Sequence, residues 1–125
     1  MPARLDHTIV HVSDRFAGAR FLSELLGGPE PVKNGPFVAL TLDGDVTLDY
    51  LDEREGPQPS QHLAFRVSDE EFDGIFARIV ERKITYWADP ARQTSGEIFR
   101  RPGSHGVYID DPDGHLLEFL TSDAP

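Results

Sequence analysis

Slid against itself by 55 positions, the chain places HTIVHVSDRFAGARFLSELL over HLAFRVSDEEFDGIFARIVE without a gap, pairing His7 with His62, Val12 with Val67, Ser13 with Ser68, Asp14 with Asp69 and Phe21 with Phe76. An internal repeat constrains a fold more than any single motif, because both copies must be supersecondary units built on one plan. Each copy opens with an alternating apolar and polar run, the period of a half-buried strand, and that run ends in Ser-Asp. Apolar residues at helical spacing follow: Phe21, Leu22, Leu25 and Leu26 in the first copy, and Phe72, Ile75, Phe76, Ile79 and Val80 in the second. Strand then helix is expected twice. The Ser-Asp pairs offer side-chain oxygens to the free N–H groups of a first helical turn, and Gly27-Gly28 followed by Pro29 stops the first helix.

After the first helix, PFVALTL and DVTLDYL alternate as strands joined at Asp43-Gly44-Asp45, a hairpin signal. After the second, ITYWA, GEIFR, GVYID and HLLEFLT have strand character, and Pro112-Asp113-Gly114 turns the last two. The stretch Glu53 to Ser60, with Gly56, Pro57 and Pro59, reads as a linker. The expected class is α+β: a single domain over residues 1–125, made of two βαβββ modules (1–55 and 61–122) whose strands form a cup-shaped mixed sheet. A chain of 125 residues is long enough to bury a core of its own.

Composition narrows the partners. With 22 acidic against 12 basic residues and a net charge of -10, the chain lacks the basic surplus with which nucleic-acid and anionic-membrane binders displace counterions. Neither partner is expected, which leaves small molecules or protein. There is no cysteine, so thiolate ligands, disulfides and cysteine nucleophiles are excluded and any metal must sit on nitrogen and oxygen. MPARLDHTIVHVSD carries no uninterrupted apolar run, and no later segment has the length to span a bilayer, so a soluble, cytoplasmic protein is expected.

Strand parity shows which side chains face the same way. In LDHTIVHV, Thr8, Val10 and Val12 take the helix side and His7, Ile9 and His11 the other; in HLAFRV, Leu63, Phe65 and Val67 leave His62, Ala64 and Arg66 opposite. In HLLEFLT, Glu118 points with Leu116 and Leu120, and in VTLDYL, Asp49 points with Thr47 and Leu51. His7, His62, Glu118 and Asp49 thus all fall on faces turned from the helices. Two histidines at matching positions of a repeat, with a carboxylate on a terminal strand, suit a divalent ion that keeps positions open for substrate. Tyr108, opposite in parity to Val107 and Ile109, shares that face, either to donate a hydrogen bond or to pack. His11 lies four residues beyond His7, roughly 13 Å along an extended strand, too far for the same ion, so it either lines a substrate pocket or contacts a dimer partner. His105 and His115 flank turns and are expected to be exposed, His105 within reach of a pocket mouth, while Phe37, Tyr86, Trp87 and Phe99 either wall a flat ligand or, for most of them other than Trp87, pack in the core.

Three stretches, LDHTIVHVSDRFAGARFLSELLG, QHLAFRVSDEEFDGIFARI and GVYIDDPDGHLLEFLT, resemble the vicinal oxygen chelate superfamily of glyoxalases, bleomycin-resistance proteins, fosfomycin-resistance thiol transferases and extradiol dioxygenases. The third is the most specific, an Asp-Pro-Asp-Gly turn leading into a strand with a glutamate. The resemblance implies the glyoxalase/bleomycin resistance/dihydroxybiphenyl dioxygenase fold, a homodimer, and one divalent ion (Fe, Mn, Ni, Co or Zn) on His7, His62 and Glu118. Asp49 stands where glyoxalase I has a fourth, glutamate ligand; being one methylene shorter, it binds directly, through water, or serves structure only. The anion-binding group of the fosfomycin-resistance members has no clear pattern in this chain; Arg66, Arg100 and Arg101 either supply part of it or are surface residues.

The implied function is a metal-dependent lyase or isomerase, thiol transferase or dioxygenase acting on a small substrate that chelates through neighbouring oxygens. Glu118, Tyr108 and Asp49 are the candidate catalytic groups, and His11, Arg66, Trp87 and Phe37 the candidate substrate contacts. The rival reading is a protein that sequesters an aromatic antibiotic or metabolite without turning it over, as bleomycin-resistance proteins do.

Overall fold

A computed structural model of the chain describes residues 2–122. Its backbone divides into two compact units, Met1–Pro59 and Ser60–Pro125, each carrying one copy of the repeat.

The first unit contains β1 (His7–His11), α1 (Arg15–Leu26), β2 (Val32–Asn34), β3 (Phe37–Thr41) and β4 (Thr47–Leu51). The sheet runs β1-β4-β3-β2, with β1 parallel to β4 and the other pairs antiparallel. Val10, Val12, Leu22, Leu25, Leu40, Leu48 and Tyr50 form its core. Gly18 is where α1 comes closest to the sheet: a Cβ there would stand 3.1 Å from the side chains of both Tyr50 and Val12. Those two residues therefore face the helix, which turns His11 and Asp49, one position away along their strands, to the opposite face.

The second unit contains β5 (His62–Arg66), α2 (Asp69–Glu81), β6 (Tyr86–Trp87), β7 (Phe99–Arg101), β8 (Ser104–Asp110) and β9 (Leu116–Leu120). β5 is parallel to β9, β9 antiparallel to β8, and β6 and β7 both pair with the free edge of β8. Four strands follow this helix, against three in the first unit. The extra one is a split: β6 pairs with Tyr108 and Ile109, and β7 with Ser104 to Gly106, so together they hold the place that β2 holds in the first sheet. Residues 88–98 interrupt them. Within that segment the Asp89 carboxylate accepts from the N–H groups of Gln93 and Thr94, and Arg92 pairs with Asp110 at 2.6 Å.

Both helices start at Ser-Asp, and each uses a different member. Asp14 caps α1, accepting from the N–H groups of Phe16 and Ala17, whereas Ser68 caps α2 in a reciprocal box with Glu71. Gly27 ends α1 in the left-handed conformation at φ 82°, as the Gly-Gly-Pro signal predicts. β2 carried no signal of its own in the sequence, since all three of its residues are exposed.

Candidate metal centre

In the second unit, His62 and Glu118 come from the paired parallel strands β5 and β9. Ala64 is the residue directly opposite Glu118, so the histidine lies two positions back, opposite Leu116, on the same face. Their side chains meet, His62 Nε2 standing 3.0 Å from Glu118 Oε1. The carboxylate is nearly buried at 9% side-chain exposure and the imidazole half exposed at 48%, so the pair opens outward through the histidine. Tyr108 sits opposite Glu118 across the β8–β9 ladder, where the carboxylate's charge acts on its hydroxyl. Burial, and secondly the Glu118 charge, push the Tyr108 hydroxyl above the ordinary tyrosine range, which keeps it a proton donor.

The first unit repeats this register. Ile9 is opposite Asp49, and His7, two positions back, is opposite Thr47. Asp49 is the counterpart of Glu118, and its charge acts on His7. Asp6 acts on it more strongly: its carboxylate lies 2.7 Å from His7 Nδ1 and raises the imidazole above the usual histidine value, by hydrogen bonding first and charge second. With Nδ1 held, Nε2 is left for a ligand, the carboxylate–histidine arrangement that fixes a metal-binding ring in one tautomer. Asp6 was missed in the sequence, although the Asp-His dipeptide marks it.

These groups suit a divalent ion on nitrogen and oxygen. Oδ1 of Asp49 is buried without a hydrogen-bond partner among the described residues, a costly state for a carboxylate unless a cation meets it. Within neither unit do three or more His, Asp or Glu side chains of the described residues cluster closely enough to hold an ion. On the face turned from the helix, each unit presents a histidine and a strand carboxylate in the same register, His62 with Glu118 and His7 with Asp49.

The ladders map the rest of the face in the second unit. One row holds Ala64, Glu118, Tyr108 and Trp87; the next holds Arg66, Leu120, Gly106 and Phe99. Gly106 makes room for the Phe99 ring, whose Cζ would lie 2.4 Å from a Cβ at that position. Phe99 then meets Tyr108 with ring centroids 5.7 Å apart, and Tyr108 meets His62 at 6.0 Å, giving an aromatic strip beside Glu118. The Arg101 guanidinium covers Phe99 at 4.7 Å from the ring centroid. In the first unit, Phe37 and His11 fall on the face of His7 and Asp49, as parity predicts.

Of its two readings, Tyr86 takes the packed one: it stands edge-on against Phe76 of α2, with centroids 5.1 Å apart. Two expectations are corrected. His105 is not on an open turn but turns inward to the edge of Phe72, 4.7 Å between centroids. His115 is fully buried, at 0% exposure. Its parity matches that of Leu117 and Phe119 on the helix side, a signal that outweighs its place beside a turn.

A profile described as the Glyoxalase/Bleomycin resistance protein/Dioxygenase superfamily matches residues 4–119. The chain belongs to this superfamily. Its relatives include an oxidase, ChaP-H1, of known structure, 50% identical with a TM-score of 0.92, the match covering 98% of this chain and 97% of that one. The glutathione transferase FosA of Serratia marcescens is 32% identical, over 91% of this chain and 77% of that protein. The metallothiol transferase FosB of Lysinibacillus sphaericus (strain C3-41) is 28% identical, over 94% and 81%. The superfamily's α+β fold is the one seen in the two units. No described helix of this superfamily member is long and apolar enough to cross a membrane.

Proposed function

We propose that this chain is a metal-dependent enzyme that binds a small, flat substrate through two neighbouring oxygens, with His7, His62 and Glu118, the set implied by the family resemblance, as ligands to one divalent ion. The observation that carries the reading is the His62–Glu118 pair, 3.0 Å apart and repeated in register at His7 and Asp49. Bound there, the ion would act as a Lewis acid toward a chelating substrate.

The chain's own residues do the rest. Tyr108, held protonated, is placed to donate a hydrogen bond to an oxygen that gathers negative charge beside Glu118. Asp49, with its unpartnered Oδ1, is a fourth ligand or a base for a substrate hydroxyl. The strip formed by His62, Tyr108 and Phe99, with successive rings tilted by 48° and 43°, offers an aromatic wall, and Arg66, Trp87, Phe37 and His11 are proposed as further substrate contacts. The oxidase matches at 50% identity against 32% and 28% for the two thiol transferases, which favours oxidation of an oxygen-rich ring over thiol transfer.

The test is elemental analysis of protein purified without chelator, followed by oxygen uptake with catechol as the trial substrate. About one equivalent of a transition metal, lost in both His62→Ala and Glu118→Ala, supports the site. A protein that takes up no metal on titration defeats it, and metal binding without turnover of catechols or hemithioacetals returns the sequestration reading.

A further inference from the structure

The Asp111–His115 turn is built around groups that the site described above does not use. The carboxylate of Asp111 accepts from the N–H groups of Asp113 and His115, at 2.8 and 2.9 Å, and fixes the turn from inside. The buried His115 imidazole then reaches across to the neighbouring strand, where its Nδ1 accepts from the backbone N–H of Gln61 at 3.0 Å. The carbonyl of the same residue accepts from Leu116 N–H at 2.8 Å, so the backbone of Gln61 is held on both sides. His62 is the next residue along, and Glu118 lies three residues past His115 on the other strand.

We infer that His115 is a positioning residue for the His62–Glu118 pair, its buried Nδ1 locking β5 to β9 at the point where the register of the two ligands is set. The inference rests on the proposed reading of the site. A hairpin inherits its register from its turn, but β5 and β9 are parallel and more than fifty residues apart in the chain, so no turn sets theirs. A slip of one residue would put His62 and Glu118 on opposite faces, and a slip of two would part them by about 7 Å.

The repeat supplies a comparison within one chain. In the first unit, Thr47 N–H donates to the Asp6 carbonyl at 2.9 Å, the counterpart of the bond from Leu116 to Gln61. The residue matching His115 is then Val46, whose side chain has no acceptor. The parallel pair β1–β4 forms with valine there, so the fold does not require the imidazole. Its presence only beside His62 and Glu118 ties it to that pair.

The experiment compares His115→Val, which installs the first unit's residue, and His115→Leu with His115→Asn, which keeps a side-chain acceptor. Val107→Ala, a buried helix-side change, serves as a control for general loss of stability. Cobalt(II) affinity is measured by titration, and amide hydrogen exchange at Gln61, His62 and Leu116 by NMR without metal. The expected result is a 10- to 100-fold weaker affinity in whichever of the valine and leucine variants folds, the size usual for loss of a group supporting a metal ligand. It comes with at least about tenfold faster exchange confined to those three amides. Asparagine restores both in part, and the Val107 control lowers the melting temperature without changing either. Native affinity and native exchange in a folded valine or leucine variant would overturn the inference alone. A native protein that binds no cobalt overturns the reading of the site instead, and exchange at the three amides then still decides whether His115 holds the register.

Discussion

Tyr108 and Glu118 stand directly opposite each other across the β8–β9 ladder, and the carboxylate that His62 Nε2 approaches to 3.0 Å also acts by its charge on the tyrosine hydroxyl. One carboxylate thus serves a histidine and a phenol. Replacing the phenol separates the two roles: Tyr108→Phe should leave metal content near that of the native protein and lower kcat by about 100-fold or more if the hydroxyl acts on the substrate. Parallel metal analysis and steady-state kinetics check this. A variant with native kcat would confine Tyr108 to orienting Glu118.

The Asp6–His7 contact gives a prediction for the metal-free protein. Because Asp6 raises the His7 imidazole, Asp6→Asn should bring it down toward 6.5. The sign for folding follows from linkage. A raised histidine favours the folded state fully below its unfolded value, and the benefit fades as pH rises through the folded value. His7 resonances followed by NMR over a pH titration report the shift directly.

Asp111 behaves in the opposite sense to a salt-bridged carboxylate. Burial pushes it above 3.8 despite the two N–H groups it accepts, so the folded state holds its proton to higher pH than the unfolded chain does. Stability therefore falls as pH climbs from about 3.8 through the raised value. Asp111→Asn keeps the acceptor and removes the charge. Its melting temperature should exceed the native one at pH 7 to 8, and the gain should vanish near pH 4. A constant difference across the pH range would show that the charge is not the cause.

At Gly106 an added Cβ would meet the Phe99 ring at 2.4 Å and the Phe119 carbonyl oxygen at 2.5 Å. The ring can move aside, but the backbone oxygen belongs to the central ladder. Gly106→Ala should cost about 1–3 kcal/mol or more in urea unfolding. The double variant with Phe99→Ala should recover only the part due to the ring.

The caps offer a smaller test. Asp14→Ala and Ser68→Ala should each cost about 1 kcal/mol, while Ser13→Ala and Asp69→Ala, the other members of the two pairs, should cost less. Chemical denaturation of the four variants distinguishes them.

Much of the fold, and the faces on which the candidate site residues lie, were legible because they rest on periodicity. Alternation along β1, β4, β5 and β9 needs no long-range information, and it put His7, Asp49, His62 and Glu118 on faces turned from the helices. Helix spacing and the Ser-Asp pairs located α1 and α2, although which of Ser and Asp would cap depended on backbone geometry that the dipeptide does not encode. The missed features depend on distant parts of the chain. β2 is exposed throughout and exists because β3 offers it an edge. The runs ITYWA and GEIFR were legible as separate strands, but not that both pair with β8 as one outer strand broken at residues 88–98. His115 looked like a turn residue because turn signals are local, while the backbone it serves at Gln61 is 54 positions earlier.

The three-residue length of β2 has a consequence for how the protein behaves in a crowded solution. An edge strand is a template for the next chain, and its hazard grows with length, flatness and apolar character. Here Val32 is 63% exposed, but Lys33 follows it and the strand ends at Asn34, before Gly35 turns the chain away at φ 59°. A charge in the middle and an early stop leave too short a register for another copy to add on. Lengthening this strand or replacing Lys33 by an apolar β-branched residue would turn a quiet edge into a site of self-association.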